Sequence, residues 1–326
     1  MTAVPYSRYV IYPIPWYSFL IVIGASVAIF LACREERRIG LPEDTTIDLA
    51  IRVFPFGIIG ARLYYVLFTW DQFRNDPLSV FRIWEGGLAI YGGVIGGFIV
   101  LFLFSRRRRL SVLTLCDLIA PGLVLAQAIG RWGNYFNCEA YGIRISNEFL
   151  CRFPLAVRIP ADGYSWHLAT FFYESFWNFL IFIYLMGNRH RTLKRKGDVF
   201  LHYLFLYSSG RLFIEHLRTD SLYLASSVRI SQLLSVILCL GVILYYYLSR
   251  PSKNRKCLVV RSLFILGVLD CLGLMAFSVS EFLRSRLSFV QQLVFLAINA
   301  VLLIICFLLL CGITLHPEVQ HADHKN

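Results

Sequence analysis

Residues 130–142 read GRWGNYFNCEAYG, which sets an arginine, two asparagines and a glutamate among glycines. Arg131 offers a planar fork of donors suited to a phosphate or carboxylate. Asn134, Asn137 and Glu139 add donors and an acceptor within about two helical turns. Gly130 and Gly133 leave bare backbone for a phosphate to touch. A second group lies at 211–218, where Arg211, Glu215 and Arg218 stand at i, i+4 and i+7 on one helix face. Glu215 can orient an arginine there for an anion, or the three can form an internally neutralised structural cluster. The chemistry these side chains permit is capture of a phosphate and stabilisation of charge that develops on it.

The elements that carry them must lie in lipid. The hydrophobic fraction is 57% and the mean hydropathy +0.62 over 326 residues, too apolar for a water-soluble globule. Nine apolar stretches of roughly 17–24 residues are predicted to span as helices. They fall near 16–33, 47–68, 87–104, 113–129, 168–187, 199–217, 230–249, 257–279 and 291–314. The alternating segments of a β-barrel are missing, so the expected class is an all-α polytopic membrane protein. No cleavable signal is expected, since only Arg8 is charged in the first fifteen residues.

The net charge of +12 suggests nucleic acid, but its distribution rejects that partner. More than half of the 32 lysines and arginines sit in alternate short loops: Arg34–Arg38, Arg106–Arg109, Arg189–Lys196 and Arg250–Arg261. Such alternation predicts that these loops are cytoplasmic, with the amino terminus outside and the carboxyl terminus inside. Loop 130–167 is then outside, where its polar and proline content (Asn147, Glu148, Pro154, Pro160, Asp162) suits a small cap. The basic residues also meet anionic lipid headgroups.

Other positions divide between chemistry and packing. Arg62 lies too deep in its span for an ordinary end-of-helix snorkeler. Gly92, Gly93, Gly96 and Gly97 form small-xxx-small pairs that allow close helix approach. Tyr173, Glu174 and Asn178 fit interhelical hydrogen bonds better than catalysis. The histidines show no metal-ligand periodicity, so neither metal nor cofactor is assigned. Nine scattered cysteines make no metal motif, although Cys138 and Cys151 share the outer loop, which permits a disulfide. The last two spans, with Asp270 and a loop holding Glu281, Arg284 and Arg286, read as an appended hairpin. A transporter would need repeated halves or a polar path through the bilayer, and neither is evident.

GRWGNYFNCEAYG resembles the signature of the prolipoprotein diacylglyceryl transferases. PWYSF around Tyr17, GARLYYVLF around Arg62, WEGG at 84–87 and GRLFIEHLR at 210–218 resemble the same family in the same order. The resemblance covers about residues 12–249, which implies a seven-span core (domain 1–256) plus a two-helix extension and tail (257–326). It implies transfer of the diacylglyceryl unit of phosphatidylglycerol to the lipobox cysteine thiol of a prolipoprotein signal peptide at the bacterial inner membrane. Arg131 matches the family arginine that binds the lipid phosphate, and Asn134 and Gly142 match signature positions grouped with it. Arg211, Glu139 and Tyr17 match catalytic positions. Arg62, Asn137, Glu215 and Arg218 are expected to support them. Two departures stand out: Tyr91, counted with the catalytic positions, occupies a place where many members have histidine, and LATFFYE (168–174) replaces a His-Pro-(Ser/Thr)-Gln run before Leu-Tyr-Glu.

Overall fold

A computed structural model describes residues 7–146, 148–189, 195–220, 223–225, 228–248, 265, 267, 273, 298–299 and 301–308. The helices are α1 (Trp16–Ile39), α2 (Thr45–Phe68), a short α3 (Trp70–Phe73), α4 (Ile90–Arg108), α5 (Val112–Asn137), α6 (Thr170–Asn188), α7 (Asp198–Leu217) and α8 (Ile230–Leu248). Seven of them match the first seven apolar stretches. Among the described residues, α1, α2, α4 and α5 are long and apolar enough to cross a bilayer by length and composition. The protein is a multi-pass membrane protein. Large apolar side chains face outward, as Phe30, Ile51 and Ile90 do at 64%, 64% and 76% exposure, a surface only lipid can solvate.

The chain is mostly helical, as expected of the all-α class, with short strands before and between the helices. Among the described residues, three antiparallel strand pairs occur: β1 (Tyr9–Ile11) with β2 (Ile14–Pro15), β3 (Ala156–Ile159) with β4 (Ser165–Leu168), and β5 (Tyr223–Ala225) with β6 (Val228–Arg229). Each joins backbone that helices leave without partners, and unpaired N–H and C=O groups are costly where water is scarce.

The chain forms two compact units, residues 26–122 and residues 1–25 with 123–326. In the 26–122 unit, α2 and α4 meet backbone to backbone. A Cβ on Gly60 would lie 2.5 Å from the Gly92 carbonyl oxygen, and one on Gly96 2.7 Å from that of Phe56. The α4 glycines are therefore packing residues, matched by glycines of α2. Arg62 is buried and reaches the turn before α4. Its guanidinium donates to the carbonyls of Val80 (2.8 Å), Gly86 (2.8 Å), Gly87 (3.1 Å) and Ser79 (2.6 Å). Gly87, at φ +70°, has no room for a Cβ beside Tyr65 and Arg62. WEGG is thus a turn folded around a buried arginine.

In the other unit, α7 and α8 share a core of Leu201, Phe205, Leu212, Val236, Cys239 and Ile243, joined by Leu303 and Cys306 from beyond α8. Phe307 stacks on Phe205 and meets Tyr184 edge-on, with ring centroids 6.2 and 5.2 Å apart. Residues 298–299 and 301–308 are helical, within the expected ninth span. The eighth expected span is described only at 265, 267 and 273. Asn147, Arg191, Lys194, Arg250, Lys253, Arg255, Lys256, Arg261, Asp270, Glu281, Arg284 and Arg286 lie outside the described residues.

Candidate active site

The signature begins as helix. α5 runs unbroken through Asn137, so the amides of Gly130 and Gly133 belong to its hydrogen-bond ladder and do not form a phosphate cradle. Gly133 instead admits Tyr17 of α1, whose Cα would lie 3.1 Å from an added Cβ. After Asn137 the chain turns sharply through Cys138 and Ala140, both at φ +53°. Asn134 and Asn137 donate to the same Glu139 oxygen at 2.9 and 3.1 Å. This triad fixes the exposed Glu139 carboxylate over the end of α5.

The signature's tail is held by main chain. Gly142 N–H donates to Leu168 O (2.8 Å), Ile143 N–H to Leu217 O (3.0 Å) and Ile145 N–H to Trp166 O (2.9 Å). A Cβ on Gly142 would meet the Leu217 carbonyl at 2.6 Å, so close approach to the end of α7 explains the glycine. His167 completes the attachment, with Nδ1 2.9 Å from Gly142 O and Nε2 2.7 Å from Asp162. Bonds from Ser165 and then His167 hold the Asp162 carboxyl below the usual carboxylate range. Both Cys138 and Cys151 are free thiols, so the disulfide their shared loop permits is absent.

Beneath this turn lies a buried charge cluster. Glu174, in the second turn of α6, takes Arg131 Nε at 2.7 Å on one carboxylate oxygen and Arg211 Nη1 on the other. Arg211 Nη2 then lies 3.0 Å from Glu215. Glu174 and Glu215 are 4% and 2% exposed, so partners must offset the cost of their burial. Two cations and two anions from α5, α6 and α7 sum to zero. The Arg131 pairing uses its Nε edge. Arg218 departs from the expected shared face. It caps α7 at φ −81°, ψ 146° and pairs bidentately with Asp220 at 2.9 Å, because the helix ends at Leu217.

Arg131 and Arg211, 80 residues apart in sequence, meet on one carboxylate. A family model described as prolipoprotein diacylglyceryl transferase matches residues 7–248. The chain belongs to this family. An Enterococcus faecalis phosphatidylglycerol–prolipoprotein diacylglyceryl transferase is 45% identical over 248 residues, 75% of this chain and 89% of that protein. A Streptococcus agalactiae enzyme of the same name is 45% identical over 245 residues, covering 74% and 94%. One from Halalkalibacterium halodurans is 43% identical over 244 residues, covering 74% and 84%.

Within this diacylglyceryl transferase family member, Arg131, Asn134, Asn137, Glu139, Gly142, Arg211, Glu215 and Tyr17 all belong to the unit that contains the charge cluster. Arg62 and Tyr91 belong to the 26–122 unit, where Tyr91 opens α4 with its ring 6.3 Å from that of Tyr64. Glu174, expected to bond between helices, does so as the carboxylate that joins two arginines, a partnership that sequence reasoning did not name. Its signal was available: a lone carboxylate in an apolar span requires a cation, and Arg131 and Arg211 stood on other spans. Thr170, retained in the divergent LATFFYE run, donates to Ala140 O at 2.6 Å. Arg158 was also missed; it lines a shallow cavity with Asn134, Cys138, Glu139 and Tyr141.

Proposed function

We propose that the protein transfers the diacylglyceryl group of phosphatidylglycerol to the lipobox cysteine thiol of a prolipoprotein signal peptide. The observation that carries this reading is the pair of arginines joined by Glu174 beside the family signature. Thiolate sulfur attacks the diacylglyceryl carbon and a C–S bond forms. The C–O bond to phosphate breaks, and glycerol phosphate leaves with the electron pair. Arg131 is the phosphate ligand, because its free donors can follow charge onto the leaving oxygens. Asn134, Asn137 and Glu139 form the polar rim that receives the headgroup. Arg211 and Glu215 brace Glu174, Tyr17 seats α1 on Gly133, Gly142 keeps the signature's tail against α7, Arg218 supports the fold around them, and Arg62 supports the turn before α4 within the 26–122 unit.

A dedicated base is not required. A thiol of pKa about 8.5 costs only about 2 kcal/mol to ionise at pH 7, a small part of a transfer barrier. Tyr91 then positions substrate without taking the proton. Tyr91→Phe is expected to slow turnover about five- to thirty-fold, about 1–2 kcal/mol. Complete loss in a kinetic assay would instead make the hydroxyl an obligatory proton carrier.

The basic loops support an orientation with the amino terminus outside, the carboxyl terminus cytoplasmic and the β3–β4 hairpin as an outer cap on the bacterial inner membrane. Seven spans (1–256) form the transferase core, and residues 257–326 add two more with a tail. Truncation after residue 256 is expected to retain transfer. Because it strips Leu303, Cys306 and Phe307 from α7 and α8, it should also lower the melting temperature in detergent. A truncated protein that melts normally yet transfers nothing would place the extension within the active enzyme.

The direct test incubates purified protein with phosphatidylglycerol and a lipobox peptide and weighs the peptide. Gain of a diacylglyceryl group on the cysteine peptide, with the serine peptide inert, is the expected result. No adduct on the cysteine peptide would overturn the reading. Equal modification of serine would overturn the thiolate mechanism.

A further inference from the structure

The 26–122 unit contains a second arginine site that the transfer reaction does not use. At the basic helix ends, Arg52 of α2 and Phe104, Arg107 and Arg108 of α4 enclose a cavity of about 170 Å³. That is several times the about 30 Å³ of one water molecule. The Arg52 and Arg108 guanidiniums each lie 5.7 Å from the centre of the buried Phe104 ring, so one aromatic side chain positions both. Asp48 pairs with Arg108 and lies 3.6 Å from Arg52, which neutralises one of three charges. The cavity wall itself contains no carboxylate, and it carries a surplus of positive charge.

The surroundings specify the anion's source. One turn deeper from Arg52 is Phe56, and one turn deeper from Arg107 is Leu103, each on the same helix face as its arginine. Phe56 is 54% and Leu103 60% exposed. A free phosphate has no use for apolar side chains there, whereas acyl chains do. We propose that this cavity binds the phosphate of an anionic glycerophospholipid from the leaflet at the basic helix ends, with its chains lying along Phe56 and Leu103. The surplus of arginine charge favours a headgroup with a net negative charge over a zwitterionic one, whose cation cancels the charge of its phosphate.

The test uses the full chain, delipidated in detergent. Phosphatidylserine is the probe, since the proposed transfer reaction does not consume it, and retained lipid is counted by native mass spectrometry. Wild type should retain phosphatidylserine over phosphatidylcholine, and Arg52→Gln with Arg107→Gln should reduce retention at least fivefold. Leu103→Ser, which leaves the arginines intact, should reduce it two- to threefold, which guards against misfolding of the double variant. Retention unchanged in both variants, or equal retention of phosphatidylcholine by wild type, would overturn the site. Displacement of phosphatidylserine by an equal concentration of inorganic phosphate would overturn the lipid as its ligand.

Discussion

Arg131→Lys is expected to lower turnover by two to four powers of ten, about 3–5 kcal/mol of transition-state stabilisation. Lysine keeps the charge but not the planar fork. In the wild type, Nε is committed to Glu174 at 2.7 Å, and in the proposed mechanism the two Nη groups serve the phosphate. A single ammonium cannot hold the carboxylate and a leaving phosphate in fixed directions at once. Steady-state kinetics with the lipobox peptide measures the effect, and near-normal turnover would make Arg131 a structural residue. The fall should lie mainly in kcat, because charge accumulates on phosphate as the C–O bond breaks.

Glu174→Gln is expected to move two quantities in opposite directions. Turnover should fall about a hundredfold, since an amide cannot align two guanidiniums as a carboxylate does. Inhibition by glycerol phosphate should tighten about tenfold, equivalent to about 1.4 kcal/mol, because a negative charge beside Arg131 and Arg211 has gone. Damage to the fold would weaken both, so the divergence identifies an orienting role. Weaker inhibition, or unchanged turnover, would remove Glu174 from the mechanism.

Much of this was legible in the sequence because lipid is a simple solvent. Apolar length located the first seven helices to within a few residues at most ends. The helix ends that ran longer did so for polar reasons that hydropathy does not register. α1 continues to Ile39 through the Arg38–Glu35 pair, and α5 continues through Asn134 and Asn137. The signature identified Arg131 as the cation and Glu139 as an acceptor. Sequence spacing could not reveal that Arg131 and Arg211 share Glu174, because pairing between helices depends on how they pack. It also misread Arg218, since i+7 periodicity assumes a helix that in fact stops one residue earlier. Gly130 and Gly133 were misread for the converse reason: the helix did not stop where its glycines suggested.

The cluster's charge parity also bears on how the chain enters the membrane. A lone ionised side chain at the centre of a span costs about 2.5–3.5 kcal/mol during insertion. α7 carries Arg211 and Glu215 one turn apart, 3.0 Å from each other, and so arrives with its own counter-ion. α5 and α6 each bring a single member of the cluster, Arg131 and Glu174, of opposite sign and in consecutive helices. Paired across α5 and α6, Arg131 and Glu174 leave those two consecutive helices with no net charge from the cluster, and α7 carries a balanced pair of its own.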